Sequence, residues 1–125
     1  MIFLLDVNAL IALGYKQHVF HKRVSDWAAG KSLATCSIAE LGFVRVLAQL
    51  PEADVSVATS RDILTTMKRE RRMKQISDSQ SAVDLPVWVQ KPGQITDGHL
   101  LALAHSNNST LATCDAGIPG AFLIP

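Results

Sequence analysis

The chain has few cysteines, no long apolar run and no excess of either charge. Cys36 and Cys114 are its only cysteines, which excludes a disulfide framework, and no Cys/His spacing suggests zinc. No apolar stretch approaches the roughly 20 residues of a membrane span, and the N-terminus lacks the basic region and cleavage site of a signal peptide. Twelve basic residues balance eleven acidic ones, so any nucleic-acid site must be local. We expect a soluble, cytoplasmic protein with no membrane partner and two buried free thiols.

Apolar residues are plentiful and periodic. They make up 48% of 125 residues, enough for one domain, 1–125, with a real core. Segments that resemble strands alternate with segments that resemble helices. This alternation predicts a three-layer α/β/α fold with a mostly parallel sheet of five strands. The predicted strands lie in 1–5, 32–36, 75–76, 109–114 and 122–124. The predicted helices lie in 7–14, from after His21 to about 29, 37–50, 56–69 and 97–106. Residues 84–93 fit neither pattern clearly.

The first ten residues are the most informative stretch. An unbroken apolar run from Met1 to Leu5 is typical of a strand buried on both faces, and Asp6 follows it directly. Ligands of α/β folds bind at the carboxyl ends of such strands, where a buried carboxylate needs a cation or a donor. Asp6 could equally be the N-cap of the helix that begins at Val7.

Three further acids stand at predicted strand ends or helix starts. Glu40 lies in the first turn of a helix, Asp97 opens another helix, and Asp115 follows a strand. Parallel strands bring their carboxyl ends to one edge, so Asp6, Glu40 and Asp115 can be neighbours. The strand pattern alone does not establish that Asp97 joins them. Because clustered carboxylates repel one another, a divalent cation is the natural reason to collect them.

Each of these acids also has an ordinary structural interpretation. Ser37 and Glu40 match a capping box, Asp97 could be a first-turn acid favoured by the helix dipole, and Asp115 could belong to a plain turn. Taken singly, each is more often structural than functional. Their shared position at strand ends and helix starts is what favours a site.

In their order and spacing, four motifs resemble the PIN domain and, within it, the VapC-type ribonuclease toxins of toxin–antitoxin pairs. The motifs are Leu5–Leu10 (LDVNAL), Ser37–Leu41 (SIAEL), Ile95–Ala104 (ITDGHLLALA) and Leu111–Asp115 (LATCD). The resemblance spans nearly the whole chain, except that about 52–94 match only loosely. It implies the strand order 3-2-1-4-5 and places Asp97 with the other acids.

The resemblance also implies a site and a reaction. Asp6, Glu40, Asp97 and Asp115 would be the catalytic and metal-binding acids, and Asn8 and Thr113 would support them. Oxygen ligands select Mg²⁺ or Mn²⁺, and water activated by such an ion would hydrolyse RNA to 5′-phosphate and 3′-hydroxyl ends. The substrate would be a structured RNA such as transfer or ribosomal RNA. The partners would be a cognate antitoxin and a second copy in a homodimer.

Basic residues are the candidates for binding the RNA backbone. Arg45 follows Glu40 by about one helical turn, and the densest basic run is Lys68, Arg69, Arg71, Arg72 and Lys74. The alternative for Arg45 is a solvated helix charge, and for the run a basic helix C-terminus favoured by the dipole. Trp88, between Pro86 and Pro92, is a candidate for exposed apolar surface at a partner contact.

Two other function classes remain as alternatives. A phosphatase similar to the haloacid dehalogenases also begins with an aspartate at a strand end, although it usually has a second aspartate two residues later, where this chain has Asn8. A non-catalytic RNA- or protein-binding module on the same fold would typically have lost one of the acids, and none is missing here. Metal-dependent cleavage of RNA would separate the nuclease from both.

Overall fold

A computed structural model describes all 125 residues. The chain forms five strands and five α-helices, which confirms the predicted α/β class. In chain order they are β1 (Ile2–Leu5), α1 (Val7–Gly14), α2 (His21–Ala28), β2 (Ser32–Cys36), α3 (Ser37–Gln49), α4 (Val57–Glu70), β3 (Lys74–Ile76), α5 (Ile95–Ser106), β4 (Thr110–Thr113) and β5 (Phe122–Leu123). None of the helices has the length and apolar content needed to cross a bilayer.

The five strands form one parallel sheet in the order β3-β2-β1-β4-β5, as predicted. Leu4 of β1 is in register with Ala34 of β2 on one side and Leu111 of β4 on the other. The chain moves outward from β1 to β3 and then returns across the sheet to β4. Crossovers between parallel strands are right-handed. The helices that connect strands in the direction from β1 to β3 therefore lie on one face of the sheet, and the helix that connects β3 back to β4 lies on the other. All five strands therefore point their carboxyl ends toward the same edge.

A continuous core of 28 buried residues surrounds β1. Leu4 and Leu5 are fully buried although neighbouring residues of a strand face opposite sides, so both faces of β1 are covered. On one of them Phe3 packs edge to face against Trp27 of α2, with ring centroids 5.0 Å apart. The unbroken apolar run at the N-terminus thus reflects its position in the middle of the sheet.

The segment between β3 and α5 differs most from expectation. It contains two short 3₁₀ turns, Ala82–Asp84 and Pro92–Gln94, and the second leads directly into α5. The helix therefore begins at Ile95, and Thr96 and Asp97 lie in its first turn rather than capping it. Trp88 is half-buried and packs against the core, so the prediction that it forms exposed apolar surface is wrong. Val83 and Val87 are the exposed apolar side chains of this segment.

Candidate active site

Asp6 is both a helix cap and a buried acid. It directly follows β1, and its side chain is almost fully enclosed. One carboxylate oxygen accepts a hydrogen bond from the backbone N–H of Ala9, 2.8 Å away, which caps α1. The other accepts a hydrogen bond from the hydroxyl of Thr113, 2.5 Å away. The two interpretations left open by the sequence are therefore compatible, because each uses a different oxygen.

Thr113 connects two acids that lie far apart in sequence. It ends β4, is buried, and its hydroxyl also accepts a hydrogen bond from the backbone N–H of Asp115 at 2.9 Å. Asp115 is exposed, and one of its carboxylate oxygens accepts a hydrogen bond from the N–H of Gly117 at 2.8 Å, which closes a small turn. Thr113 thus contacts both Asp6 and Asp115, and its supporting role in catalysis stays a prediction.

Asp97 joins Asp6 and Asp115 at the same edge of the sheet. Burial, followed by the charges of Asp6 and Asp115, raises the pKa of Asp97 to about 6. Burial also raises the pKa of Asp6, an effect that the hydrogen bonds from Thr113 and Ala9 oppose and the charge of Asp115 reinforces. We call Asp6, Asp97 and Asp115 the aspartate trio. The question that strand order alone left open is answered, since α5 begins where β1 and β4 end.

Glu40 differs from the three aspartates in having a basic partner. It lies in the first turn of α3, but the predicted capping box does not form, because the N-cap residue is Cys36 and receives no side-chain hydrogen bond. The ammonium of Lys68 lies 2.9 Å from Glu40 Oε2. That oxygen is buried and its geometry with Lys68 does not make a hydrogen bond, so the contact is an ion pair. Glu40 does not contribute to the pKa shifts of Asp6 or Asp97.

Two neighbouring residues escaped the sequence prediction. The carboxylate of Asp78 accepts a hydrogen bond from Nε2 of His99, with 2.7 Å between the two atoms. Asp78 and Glu40 both act on the thiol of Cys36, whose pKa is raised mainly by burial. Asp78 follows β3 by two residues, so the strand-end rule that selected Asp6 and Asp115 would also have selected it.

The structure separates the predicted RNA-binding residues. Arg45 is exposed on α3, close to Glu40 in sequence, and Lys68 is engaged with Glu40. Arg71 donates a hydrogen bond to the hydroxyl of Ser25 at 3.1 Å, and it lines a depression together with Arg72 and Ser32. Ser32 is the first residue of β2, so this part of the run lies toward the edge opposite the aspartates. Arg69 and Lys74 are exposed.

Asn8 is the supporting residue for which the structure shows no partner. It lies in the first turn of α1, its side chain is exposed, and it makes no hydrogen bond to any of the acids. Its supporting role stays a prediction, and unlike Thr113 it makes no contact with Asp6.

The chemistry of the acids fits a hard divalent cation. The donors are carboxylates, which Mg²⁺ and Mn²⁺ prefer. Burial first, and then the charges of Asp6 and Asp115, raise the pKa of Asp97, and a bound cation would relieve the repulsion among these charges. As they stand, no three of the His, Cys, Asp and Glu side chains converge closely enough to hold an ion. The aspartates would therefore have to draw closer together around it.

Comparisons with known proteins agree with this fold. A model of the PIN domain matches residues 3–120. The chain is 38% identical over 123 residues to ribonuclease VapC38 of Mycobacterium tuberculosis, a match that covers 92% of this chain and 86% of the relative. It is 37% identical over 124 residues to ribonuclease VapC44 of the same organism, covering 92% and 87%.

Solved structures show the same architecture at much lower identity. VapC20 of Mycobacterium tuberculosis, described as a sarcin-ricin loop cleaving toxin, superposes with a TM-score of 0.67 at 10% identity, covering 98% of this chain and 99% of that one. VapBC2 of Rickettsia felis, solved with a promoter DNA fragment, superposes with a TM-score of 0.66 at 18% identity, covering 98% and 97%. The structural likeness shows the shared fold, and the family follows from the PIN match and the curated relatives. The chain belongs to the PIN domain family and, within it, to the VapC group.

Proposed function

We propose that this protein is an endoribonuclease that acts as the toxin of a toxin–antitoxin pair and hydrolyses RNA at the aspartate trio. The observation that carries the proposal is that Asp6 and Asp115 lie close enough to Asp97 for their charges to raise its pKa, at the edge where β1 and β4 end. Acids that served only as caps on separate elements would have no reason to gather where their charges repel. The curated relatives, which are named ribonucleases and match over most of their length, support the same reaction.

A divalent cation, Mg²⁺ or Mn²⁺, completes the proposed site. Asp6, Asp97 and Asp115 would hold it, with Glu40 beside them. When bound, it supplies an activated water and neutralises charge on the scissile phosphate. The chain's own contribution is to hold Asp6 from two sides through the Ala9 amide and the Thr113 hydroxyl. Both bonds stabilise the charged carboxylate, which is the form that binds a cation. The expected products carry 5′-phosphate and 3′-hydroxyl ends.

The proposed substrate is a structured RNA such as transfer or ribosomal RNA, met in the cytoplasm. A protein of the same fold is described as cleaving the sarcin-ricin loop, which supports an RNA with defined structure. Arg45, Arg69, Arg71 and Arg72 are the proposed contacts for its phosphates. Lys68 is removed from that group, because its ammonium is already engaged with Glu40 and Gln75.

The proposed partners are a cognate antitoxin and a second copy of the chain. Several proteins with this fold were solved as VapBC or FitAB complexes, and this supports an antitoxin that binds the toxin directly. Exposed apolar side chains are available for such contacts, among them Leu41 and Val57. Light scattering of the purified chain tests the homodimer, and co-purification with the product of the adjacent gene tests the antitoxin.

The activity is tested by changing one member of the aspartate trio. Asp6→Asn keeps the shape of the side chain and its cap to Ala9 while removing the charge. We expect it to abolish RNA cleavage and growth inhibition, as excess chelator should do for the wild type. Asp26→Asn, which changes an exposed acid paired with Lys22 on α2, is the matched control and should remain active. Full toxicity of Asp6→Asn would contradict the proposal.

A further inference from the structure

Arg23 of α2 is fixed against the end of β5. Its Nε and Nη2 atoms both donate hydrogen bonds to the backbone carbonyl of Ile124, at 3.0 and 2.5 Å. The guanidinium also lies over the ring of Phe20, 4.9 Å from its centroid. An arginine side chain has five N–H donors, and these bonds use two of them. Three donors therefore remain on a guanidinium whose position is already set.

This guanidinium lies at the same edge of the sheet as the aspartate trio. Ile124 directly follows β5, and its backbone N–H donates a hydrogen bond to the carbonyl of Thr113, the last residue of β4, at 2.8 Å. Cys114 comes next in the chain. Burial raises the pKa of its thiol most, the charge of Arg23 lowers that pKa, and the charge of Asp6 raises it. Arg23 and Asp6 are therefore both close to the end of β4.

The charge of Arg23 is not neutralised by any acid. The three ion pairs of the chain are Lys22–Asp26, Lys68–Glu40 and His99–Asp78. Arg23 lines an open depression of about 710 Å³, so its guanidinium can be reached from solvent. Arg71 and Arg72, by contrast, line a depression toward the opposite edge. Because an acidic site repels phosphate, a nucleic-acid substrate needs a free cation beside the acids, and Arg23 provides one.

We propose that Arg23 binds a phosphate of the RNA next to the one that is cut, and so positions the strand across the aspartate trio. This inference rests on the proposed function. A guanidinium presents paired donors to phosphate oxygens, and such charge-assisted hydrogen bonds are about twice as strong as neutral ones. Because Ile124 already orders the side chain, little further conformational entropy is lost on binding. Arg23 is therefore a substrate-binding residue that the sequence motifs do not include.

The test measures RNA binding separately from cleavage. Fluorescence anisotropy of a fluorescein-labelled RNA hairpin, in the background of Asp6→Asn, gives the affinity and its dependence on salt. We expect Arg23→Gln to weaken binding about tenfold and to lower the salt slope by about one unit, because one phosphate contact is lost. Arg23→Lys keeps the charge and should retain most of the affinity and the slope. Lys22→Gln, whose charge is neutralised by Asp26, is the matched control and should bind like the background.

The lysine variant separates binding from a purely structural role. Both substitutions remove the paired hydrogen bonds to Ile124, so equal weakening of the two, with an unchanged salt slope, would overturn the inference. If Arg23→Gln does not fold, protection of Arg23 from phenylglyoxal by the hairpin, measured by mass spectrometry, decides the question. An unprotected Arg23 in a protein that binds the hairpin would overturn the inference and leave the ribonuclease function intact. A wild type that neither binds nor cuts RNA would overturn the proposed function as well.

Discussion

A single hydroxyl, that of Thr113, supports two of the four acids. Thr113→Val removes it at nearly constant shape and leaves one oxygen of the buried Asp6 without its donor. Leaving a buried group unsatisfied costs about 1–3 kcal/mol, so we expect a loss of that size in urea unfolding, together with weaker RNA cleavage. Thr110→Val at the start of the same strand is the control, because the Thr110 hydroxyl makes no hydrogen bond to another side chain and its loss should cost less. If Thr113→Val and Thr110→Val lowered the free energy of unfolding equally, the hydrogen bond from Thr113 to Asp6 would not contribute to stability.

The carboxyl of Asp97 makes the stability of the ion-free protein depend on pH. Its pKa is about 6 in the folded chain and 3.8 in a free side chain, so the folded state binds the proton more tightly. The stabilisation by that proton is fully present below about pH 4 and is lost as the pH rises through about 6. In chelator, Asp97→Asn should therefore be more stable than the wild type at about pH 7, and the two should converge only near pH 4.

Urea unfolding at the two pH values measures that difference. Asp62→Asn, at an exposed position of α4, serves as the control and should follow the wild type. If the difference in unfolding free energy between Asp97→Asn and the wild type did not change with pH, the carboxyl of Asp97 would not have the raised pKa that the structure indicates. Added Mn²⁺ should raise the melting temperature of the wild type by several degrees and that of Asp97→Asn by much less.

At the residue scale, the positions of the acids in the fold could be predicted from the sequence, but the basic residue that pairs with Glu40 could not. Asp6, Asp97 and Asp115 were predictable because strand ends and helix starts follow from the apolar pattern and the resemblance. The pairing of Glu40 with Lys68 was not, because it depends on how α3 and α4 pack. Asp78 was overlooked because the short β3 gave too weak a signal to mark its own end.

At the scale of elements, the close packing of α5 against the preceding segment requires a glycine, Gly98. A Cβ built on Gly98 would overlap Val89 Cγ2 and would approach Pro86 Cδ to 3.4 Å, so the segment before α5 lies directly against the helix. Alanine favours a helix by about 1 kcal/mol over glycine, yet overpacking costs about 1–3 kcal/mol. We expect Gly98→Ala to lower the free energy of unfolding overall.

A second substitution identifies the cause. Val89→Ala removes the methyl groups that the new Cβ would meet, so in its background Gly98→Ala should be neutral or stabilising. Gly93→Ala is the control, because nothing lies within 4 Å of its Cβ position. If the double variant lost the sum of the two single losses in unfolding free energy, overlap with Val89 would not be the cause of the Gly98→Ala effect.

The elements themselves were largely predictable, and the exception has a physical reason. Alternating apolar runs and glycine or proline stops located all five strands and helices to within a few residues. The segment around Pro86 and Pro92 was not assignable, because prolines remove backbone donors and its position depends on packing against Gly98 and on the bond between Asp78 and His99. Such tertiary contacts leave no periodic pattern in the sequence.

On the scale of the whole molecule, the basic run tests whether RNA reaches beyond the acidic edge. If Arg69, Arg71 and Arg72 contact phosphates, replacing all three with Gln should reduce the salt dependence of binding to a long structured RNA. The slope should fall by about one unit per lost contact. Lys22→Gln is the control, because that cation is paired with Asp26. The salt dependence is measured by filter binding. An unchanged slope would show that these arginines do not contact RNA and that the run is only a basic helix C-terminus.

The central position of β1 has a consequence for the order of synthesis and folding. Asp6 directly follows β1 and is made before any other strand, but the hydroxyl that supports it belongs to Thr113, 107 residues later. β1 also pairs with β4, so the middle of the sheet stays incomplete until residues 110–113 have been made. A chain interrupted before that point lacks Thr113 and Asp115 as well as a closed core. The nascent protein therefore remains without its proposed activity until residues 110–115 have been translated.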